Sequence, residues 1–299
     1  MSRPRPRRRS VPVRRRAAAL LAVLALVPLS ACDGGGDADP SPTPTALSSL
    51  RDPLADLDRG RWEVVDAPSM MAIPVDEEGI DKAAWAAAGV DDARIRAARQ
   101  ALADYVTTAY MQPDALRETD DAADRKTIVD ASPTDAWAEA MNTGWDEGNR
   151  QLYGTEFAPD YRVVGRPRAV VHWYLTERED LRLVELGGTI AYTVLNTRTG
   201  DIGIFAQRVS AAVVPGVSDD TPIDRGDFQI LLAGNDICAT TDAGGLVVPA
   251  ISDDEAAASA QSETRHRIID KPDVSRTDIA AEEGGAMQFD MTTVVPCPS

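Results

Sequence analysis

RAVVHWYLTEREDLRLVELGGTIAYTVLN, residues 168–196, decides the fold class of this chain. It is dense in β-branched and aromatic residues and carries no proline, the composition of pleated, half-buried strands. RAVVHWYLT (168–176) and GTIAYTVLN (188–196) each read as one strand. Between them, LRLVEL (181–186) reads as a further strand, or as the first half of a long bent one broken at Gly187 and Gly188. Working outward, Asn196 to Asp201 with Gly200 reads as a hairpin turn. DIGIFAQRVSAAVV (201–214) and DFQILLAG (227–234) continue the series as strands. No helical pattern separates these strands, so βαβ crossovers are excluded and antiparallel pairing is expected. Side chains alternate along a strand, so His172 shares a face with Val170 and Tyr174, while Val171, Trp173 and Leu175 take the other.

Helices flank this block. In DDARIRAARQALADYVTTAYMQ (91–112), Ile95, Ala98, Leu102, Val106 and Ala109 recur at helical spacing, Asp91 or Asp92 caps the start and Pro113 ends it. SPTDAWAEAM (132–141) predicts a second helix with Ser132 as N-cap and Pro133 at the first helical position; Trp137 and Met141 share a face. RWEVVDAP (61–68) reads as extended. A last helix is predicted over 253–268, with a Ser252/Glu255 capping box and the basic residues Arg265, His266 and Arg267 at its negative end. AMQFDMTTVVPC (286–297) reads as a final strand. The fold class is therefore α+β: N-terminal helices packed on a curved antiparallel sheet, with a C-terminal helix and a tail tied back by a disulfide. Two helices followed by an antiparallel meander resemble the NTF2-like, cystatin-like architecture over roughly residues 91–238. That resemblance implies a curved sheet wrapped on a long helix around a cone-shaped pocket. The insert at 117–130 and everything after Cys238 go beyond the pattern.

Before this domain the texture is different. Residues 1–16 hold eight arginines and no acid, and an apolar run from Ala17 to Leu29 follows. A positive region and a short apolar region make a secretory signal; a bilayer span needs roughly 20 apolar residues. Leu29-Ser30-Ala31-Cys32 resembles the lipobox of bacterial lipoproteins at all four positions. The resemblance implies cleavage before Cys32, a diacylglyceryl group on its sulfur and acyl chains of the palmitate type on the mature N-terminus. Anchoring by two chains is stable where one is marginal. Arg14-Arg15-Arg16 leaves Sec and twin-arginine export both open. DGGGDADPSPTPTAL (33–47) has too little apolar surface to fold and reads as a tether. The expected organisation is a signal peptide at 1–31, a lipidated N-terminus and disordered tether at 32–60, and a single globular domain at 61–299. The expected location is the extracytoplasmic face of the cell membrane.

The formal net charge is −17; removing residues 1–31 takes eight arginines and leaves −25. So acidic a body is repelled by phosphate backbones, and nucleic acid is excluded as a partner. With Cys32 assigned to lipid, Cys238 and Cys297 remain, in a compartment that permits disulfides. Bonded to each other, they would close a loop of about 60 residues and stabilise the fold by roughly 4 kcal/mol in the chain-entropy model.

Catalytic chemistry is thinly represented. His172 and His266 are the only histidines, and no His-x-x-x-His pair, cysteine cluster, Gly-x-Ser-x-Gly elbow or phosphate-binding glycine loop occurs. No metal and no cofactor are expected. SDDTPIDRGD (218–227) reads as a solvated acidic loop with Arg225-Gly226-Asp227 at a turn, and Glu118, Asp120, Asp121 and Asp124 as a solvated connection. If the sheet lines a pocket, His172 and Tyr174 are its candidate residues; Trp145 and Trp173 are further contact candidates, with buried core as the competing role for each. The functional expectation is a surface lipoprotein displaying a binding module for an envelope protein or a small hydrophobic ligand. The alternatives are an extracellular enzyme using His172 or carboxylate acid–base chemistry, and a structural envelope spacer.

Overall fold

Alternation of apolar side chains over four long segments produces a six-stranded open, curved sheet. The computed structural model describes residues 52–276 except 118, 119, 219 and 253, and omits the side chain of Arg117. The signal, the lipobox with Cys32, most of the tether, the predicted strand at 286–297 and Cys297 lie outside the described residues. The described residues all fall within one compact unit.

The sheet is built from β1 (Val75–Asp76), β2 (Tyr161–Val163), β3 (Arg168–Arg178), β4 (Leu181–Asn196), β5 (Ile202–Ser218) and β6 (Thr221–Ala233). Its order is β1-β3-β4-β5-β6, with β2 pairing β4. β3 to β6 pair antiparallel in sequence order, as expected; β1 pairs parallel with β3, so the sheet is mixed. β4 and β5 run 16 and 17 residues, roughly 55 Å each at about 3.4 Å per residue.

β4 is one unbroken strand. The two glycines expected to break it instead allow close packing: a Cβ on Gly188 would sit 3.0 Å from the Val170 carbonyl oxygen and 3.2 Å from Val171 Cγ2. The turn at 196–201 forms as predicted. Asn196 Oδ1 accepts from the amides of Arg198 and Thr199, and Gly200 takes φ 84°. The acidic stretch expected as a loop is largely strand: β6 begins at Thr221 and pairs Asp227 with Ala212 and Arg225 with Val214. The ladder closes those backbone hydrogen bonds, which outweighs the weak strand preference of Asp and Gly.

Eight helices are present among the described residues: α1 (Ala67–Ala72), α2 (Lys82–Ala87), α3 (Asp92–Tyr110), α4 (Pro113–Arg117), α5 (Asp121–Asp130), α6 (Asp135–Asp146), α7 (Ile237–Asp242) and α8 (Glu255–Glu263). α3 matches the predicted helix, with Asp91 accepting from Arg94 N as N-cap. α6 starts two residues later than predicted because Thr134, not Ser132, accepts from the Trp137 amide as N-cap. α8 is capped by Asp254 rather than Ser252; the Ser252 hydroxyl donates to Asp254. After Glu263 the chain continues as a π-helical turn, Thr264–Ile269. The extended segment at 61–68 makes one bridge, Val64 to Ala169, before Pro68 and the Asp66 cap start α1. α5 occupies the expected acidic connection.

Both faces of the sheet are covered. On the inner face Trp173, Leu186, Tyr192, Phe205 and Val209 pack against α3, whose Leu102, Val106 and Ala109 are fully buried. Burying each such aliphatic side chain stabilises by about 1.5–3 kcal/mol. On the outer face Val170, Ala191, Ile204 and Ala206 meet Trp62, Ile268 and Ile269, with Leu54 and Leu57 against the same cluster. Thr193 donates to Asp52 at 2.6 Å. The folded body thus extends N-terminally past Arg61.

Candidate functional site

The predicted pocket residues His172 and Tyr174 do share a face, and it is the outer one. A strap formed by residues 264–276 crosses the strands there. Arg208 donates to the Lys271 carbonyl at 2.6 Å, Thr189 to the Pro272 carbonyl at 2.6 Å and Tyr174 to the Val274 carbonyl at 3.0 Å. His172 Nε2 lies 3.0 Å from Asp273 Oδ1, and Arg61 also pairs with Asp273. Burial by itself would raise the Asp273 carboxyl; the hydrogen bonds from His172 and Arg61 outweigh it and hold the group below its ordinary range. Arg276 lies over the Tyr174 ring, 5.4 Å from its centroid. In place of a pocket, His172 and Tyr174 anchor this strap, with segments about a hundred residues apart in sequence.

The inner face, where the resemblance placed a cone-shaped pocket, carries packed rings. Tyr105, Tyr110, Trp137 and Phe228 pack with contacting centroids 5.2–5.7 Å apart, Tyr110 stacked on Phe228 and the other contacts edge to face. The Tyr105 and Tyr110 hydroxyls lie 3.1 Å apart, and Tyr110 donates to the Leu152 carbonyl at 2.9 Å. Tyr192 donates to the Tyr110 carbonyl and accepts from Gln207, which also bonds Thr155. Burial pushes all three phenols up, so they remain neutral donors. Trp173 and Trp145 are core residues: Trp173 donates to the Met70 carbonyl, and Trp145 is 9% exposed.

A cleft of about 410 Å³ opens instead at the β6 end of the sheet. Ile230 to Gly234 form its floor, α7 stands at one end, and Leu152 and the 260–268 segment make the sides. Leu152 and Ile237, which line it, are 39% and 42% exposed. Two hydrogen bonds fix how the β6 backbone faces it. Gln261 bonds both the amide and the carbonyl of Ile204, so these groups point away from β4. By alternation, Ala206, Arg208, Ser210 and Ala212 then point to β6. Through the register their partners Ala233, Leu231, Gln229 and Asp227 point back to β5. Gly226, Phe228, Ile230 and Leu232 therefore point outward. Independently, Trp137 Nε1 donates to the Gly226 carbonyl from outside at 2.9 Å. Beyond β6, the Ala250 amide donates to the Gly234 carbonyl. Between these two covered points the outward amides and carbonyls of Phe228, Ile230 and Leu232 meet no further strand among the described residues; Ile230 and Leu232 line the cleft together with the apolar Leu152 and Ile237 and the polar Thr240, Thr241 and Arg267. Cys238 lies on α7, the helix that contributes Ile237, Thr240 and Thr241 to the cleft, and it is not a free thiol. Neither the edge nor its orientation is readable from the sequence; the alternation within DFQILLAG was the only signal.

A second group lies beneath the 150–156 segment. Asp124 is 1% exposed, with Oδ1 unpartnered. Glu156 Oε2 is 3.3 Å from Arg150 Nη1 but makes no hydrogen bond. Burial, reinforced by Asp121, pushes Asp124 up to about 6. Burial raises Glu156 to about 7 against the pull of Arg150. Asp121 pairs with Arg150, whose guanidinium stands over the Trp145 ring. Sequence reading placed Asp121 and Asp124 in a solvated connection; α5 turns Asp124 into the body instead. Among the described residues, no group of three or more His, Cys, Asp or Glu side chains is placed to hold a metal ion.

Comparison with protein-family models, with curated proteins and with solved structures finds no match. The fold and the cleft define an α+β body whose β6 edge meets no further strand among the described residues.

Proposed function

We propose that this chain is a lipid-anchored module on the extracytoplasmic face of the cell membrane that receives an extended apolar segment of an envelope protein along β6. The anchor reading draws on the lipobox at Cys32 and the polar tether behind it. The binding reading draws on one observation: the β6 edge beside the cleft meets no further strand among the described residues. Strand addition supplies affinity through main-chain hydrogen bonds and selectivity through alternate side chains. The −25 charge of the mature chain favours standing clear of anionic lipid heads, a task that suits the tether.

Two experiments test this. Cys32→Ser moves the protein from the membrane fraction to the culture medium; a variant that stays membrane-bound ends the anchor reading. A displayed library of unstructured octapeptides, panned on the mature chain, returns sequences with alternating apolar residues that lose binding to Ile237→Arg. A library that yields none leaves the spacer reading in its place. One observation favours a different reading: the unpartnered oxygens of Asp124 and Glu156 beside Arg150 suit carboxylate acid–base catalysis. Turnover of a glycoside or ester panel that Glu156→Gln abolishes would establish it.

A further inference from the structure

We propose that the buried carboxyls of Asp124 and Glu156 form a proton-operated latch that sets the shape of the cleft by holding two of its walls. The consequence for binding rests on reading the cleft as a strand-accepting site, whose regulation this latch supplies.

The latch lies under both walls. One wall is the short 3₁₀ turn Arg150–Leu152, whose Gln151 and Leu152 line the cleft. The Arg150 side chain of that turn runs into the body, where it pairs with Asp121, lies 3.3 Å from Glu156 Oε2 and stands over the Trp145 ring. The other wall is α7. Glu156 reaches it through the backbone: its carbonyl accepts from the Val247 amide at 2.8 Å, and the next amide, that of Val248, donates to Thr240 Oγ1 at 3.0 Å. Thr240 is itself a cleft residue. The two walls also touch. A Cβ on Gly245, just after α7, would lie 2.5 Å from the Gly148 carbonyl oxygen and 3.0 Å from Arg150 Cγ. A shift of Glu156 against Arg150 therefore moves both walls.

The balance of charge makes this joint sensitive to protons. Asp120, Asp121, Asp124 and Glu156 surround Arg150, which is the cation facing them among the described residues. Arg125 of α5 is engaged elsewhere, by Asn142 and Asp146. With Arg150 taken by Asp121, Asp124 Oδ1 and Glu156 Oε2 are left without hydrogen-bond partners. A buried carboxylate with no donor is costly, and a proton removes that cost. Burial accordingly pushes Asp124 up to about 6 and Glu156 up to about 7. The Tyr105 and Tyr110 hydroxyls hold the turn from its inner side through the Tyr153 and Leu152 carbonyls. Burial raises both phenols, so they stay neutral throughout.

In the protonated state the turn is seated. As the pH rises past 7, two further anions compete for one guanidinium inside the body, water is drawn to them and the turn lifts from Glu156. A segment bound against the seated walls is then held less tightly, and by linkage it takes up protons as it binds. A tenfold change in the proton affinity of one carboxyl on loosening changes the balance of seated and lifted forms about tenfold.

The test uses the full mature chain, labelled for NMR and followed from about pH 5 to pH 8.5. The reporters are the Leu152 and Val247 amides on the two walls and the Trp145 indole N–H, which donates to Asp121 beside Arg150. We expect the three to move together in the wild type, with a midpoint between about pH 5.5 and 7.5. They should stand still in Asp124→Asn/Glu156→Gln, while the Val209 amide, deep in the sheet, is unmoved in both. Absence of a shared midpoint in the wild type overturns the proposal, whether or not the double variant folds, and so does a titration that survives in the variant. Should the double variant not fold, Glu156→Gln alone must bring the midpoint below that of the wild type; an unchanged midpoint overturns the proposal. An octapeptide selected by panning is then titrated at pH 5.5 and pH 8. It should bind the wild type at least about fivefold tighter at pH 5.5 and the variant equally at both. Equal affinity for the wild type at both pH values, with the walls titrating, overturns control of the cleft. If panning at either pH returns no peptide while the three reporters titrate as expected, the strand-accepting reading falls and the latch stands as a control on the shape of the cleft.

Discussion

Glu156→Gln is expected to stabilise this protein at neutral and alkaline pH and to leave it unchanged in acid. Glu156 is held where its charge is poorly served: its side chain is 16% exposed and Oε2 makes no hydrogen bond, although Arg150 Nη1 is 3.3 Å away. Burial, with Asp124 and Asp121 nearby, outweighs Arg150 and raises the carboxyl from 4.5 to about 7. The folded state therefore holds this proton more tightly than the unfolded state does. Its contribution is fully present below about pH 4.5, falls as pH rises towards 7 and levels off above that. At about 1.4 kcal/mol per unit, the shift corresponds to about 3 kcal/mol lost at pH 8. Glutamine keeps the shape and removes the charge. It also forgoes the attraction of Arg150, so the net gain at pH 8 is expected at roughly 1–3 kcal/mol. Urea unfolding of the mature chain, followed by tryptophan fluorescence from pH 4 to pH 8.5, measures it. The wild type and variant curves should meet near pH 4 and diverge through the window between 4.5 and 7. A variant less stable than wild type at pH 8, or a difference independent of pH, would mean that the Arg150 pair dominates and that the burial argument is wrong.

Other parts of the structure give further expectations. Tyr192→Phe removes a buried hydroxyl that bonds the Tyr110 carbonyl and Gln207; the carbonyl loses that donor while Gln207 keeps Thr155, and the change should cost about 1–3 kcal/mol in urea unfolding. Gly188→Ala sets a methyl 3.0 Å from the Val170 carbonyl oxygen in the middle of the β3–β4 ladder. It should destabilise by about 1–3 kcal/mol, as overpacking does, and a neutral result would mean that β3 can shift. Asp273→Ala removes the partner of both His172 and Arg61; subtilisin should then cut the strap between 270 and 276 faster while the sheet stays intact.

The candidate residues show where sequence reading reached its limit. His172 and Tyr174 were assigned correctly to one face, because alternation along a strand is local geometry. That their face is covered by a strap was invisible, since Asp273 and Val274 lie a hundred residues further along the chain. Asp124 read as a solvated acid because no short-range pattern marks it; only the packing of α5 against the body turns it inward. The helices α1, α2, α4 and α7 escaped for a related reason. Each is five or six residues long, too short to hold itself together or to show a periodic face, and each exists because the body packs against it.

By itself the sequence determined the α+β class, the antiparallel order of the four long strands, the position of α3 and the turn at 196–201. All of these follow from periodicity, turn chemistry and capping, which act over a few residues. Only the tertiary structure decided that β4 runs unbroken through two glycines, that β6 starts at Thr221, that rings fill the inner face and that a cleft opens between the end of β6 and α7. Those outcomes depend on which surfaces meet. Contacts between distant segments are chosen by the free energy of the whole packed arrangement, and no window of neighbouring residues contains it.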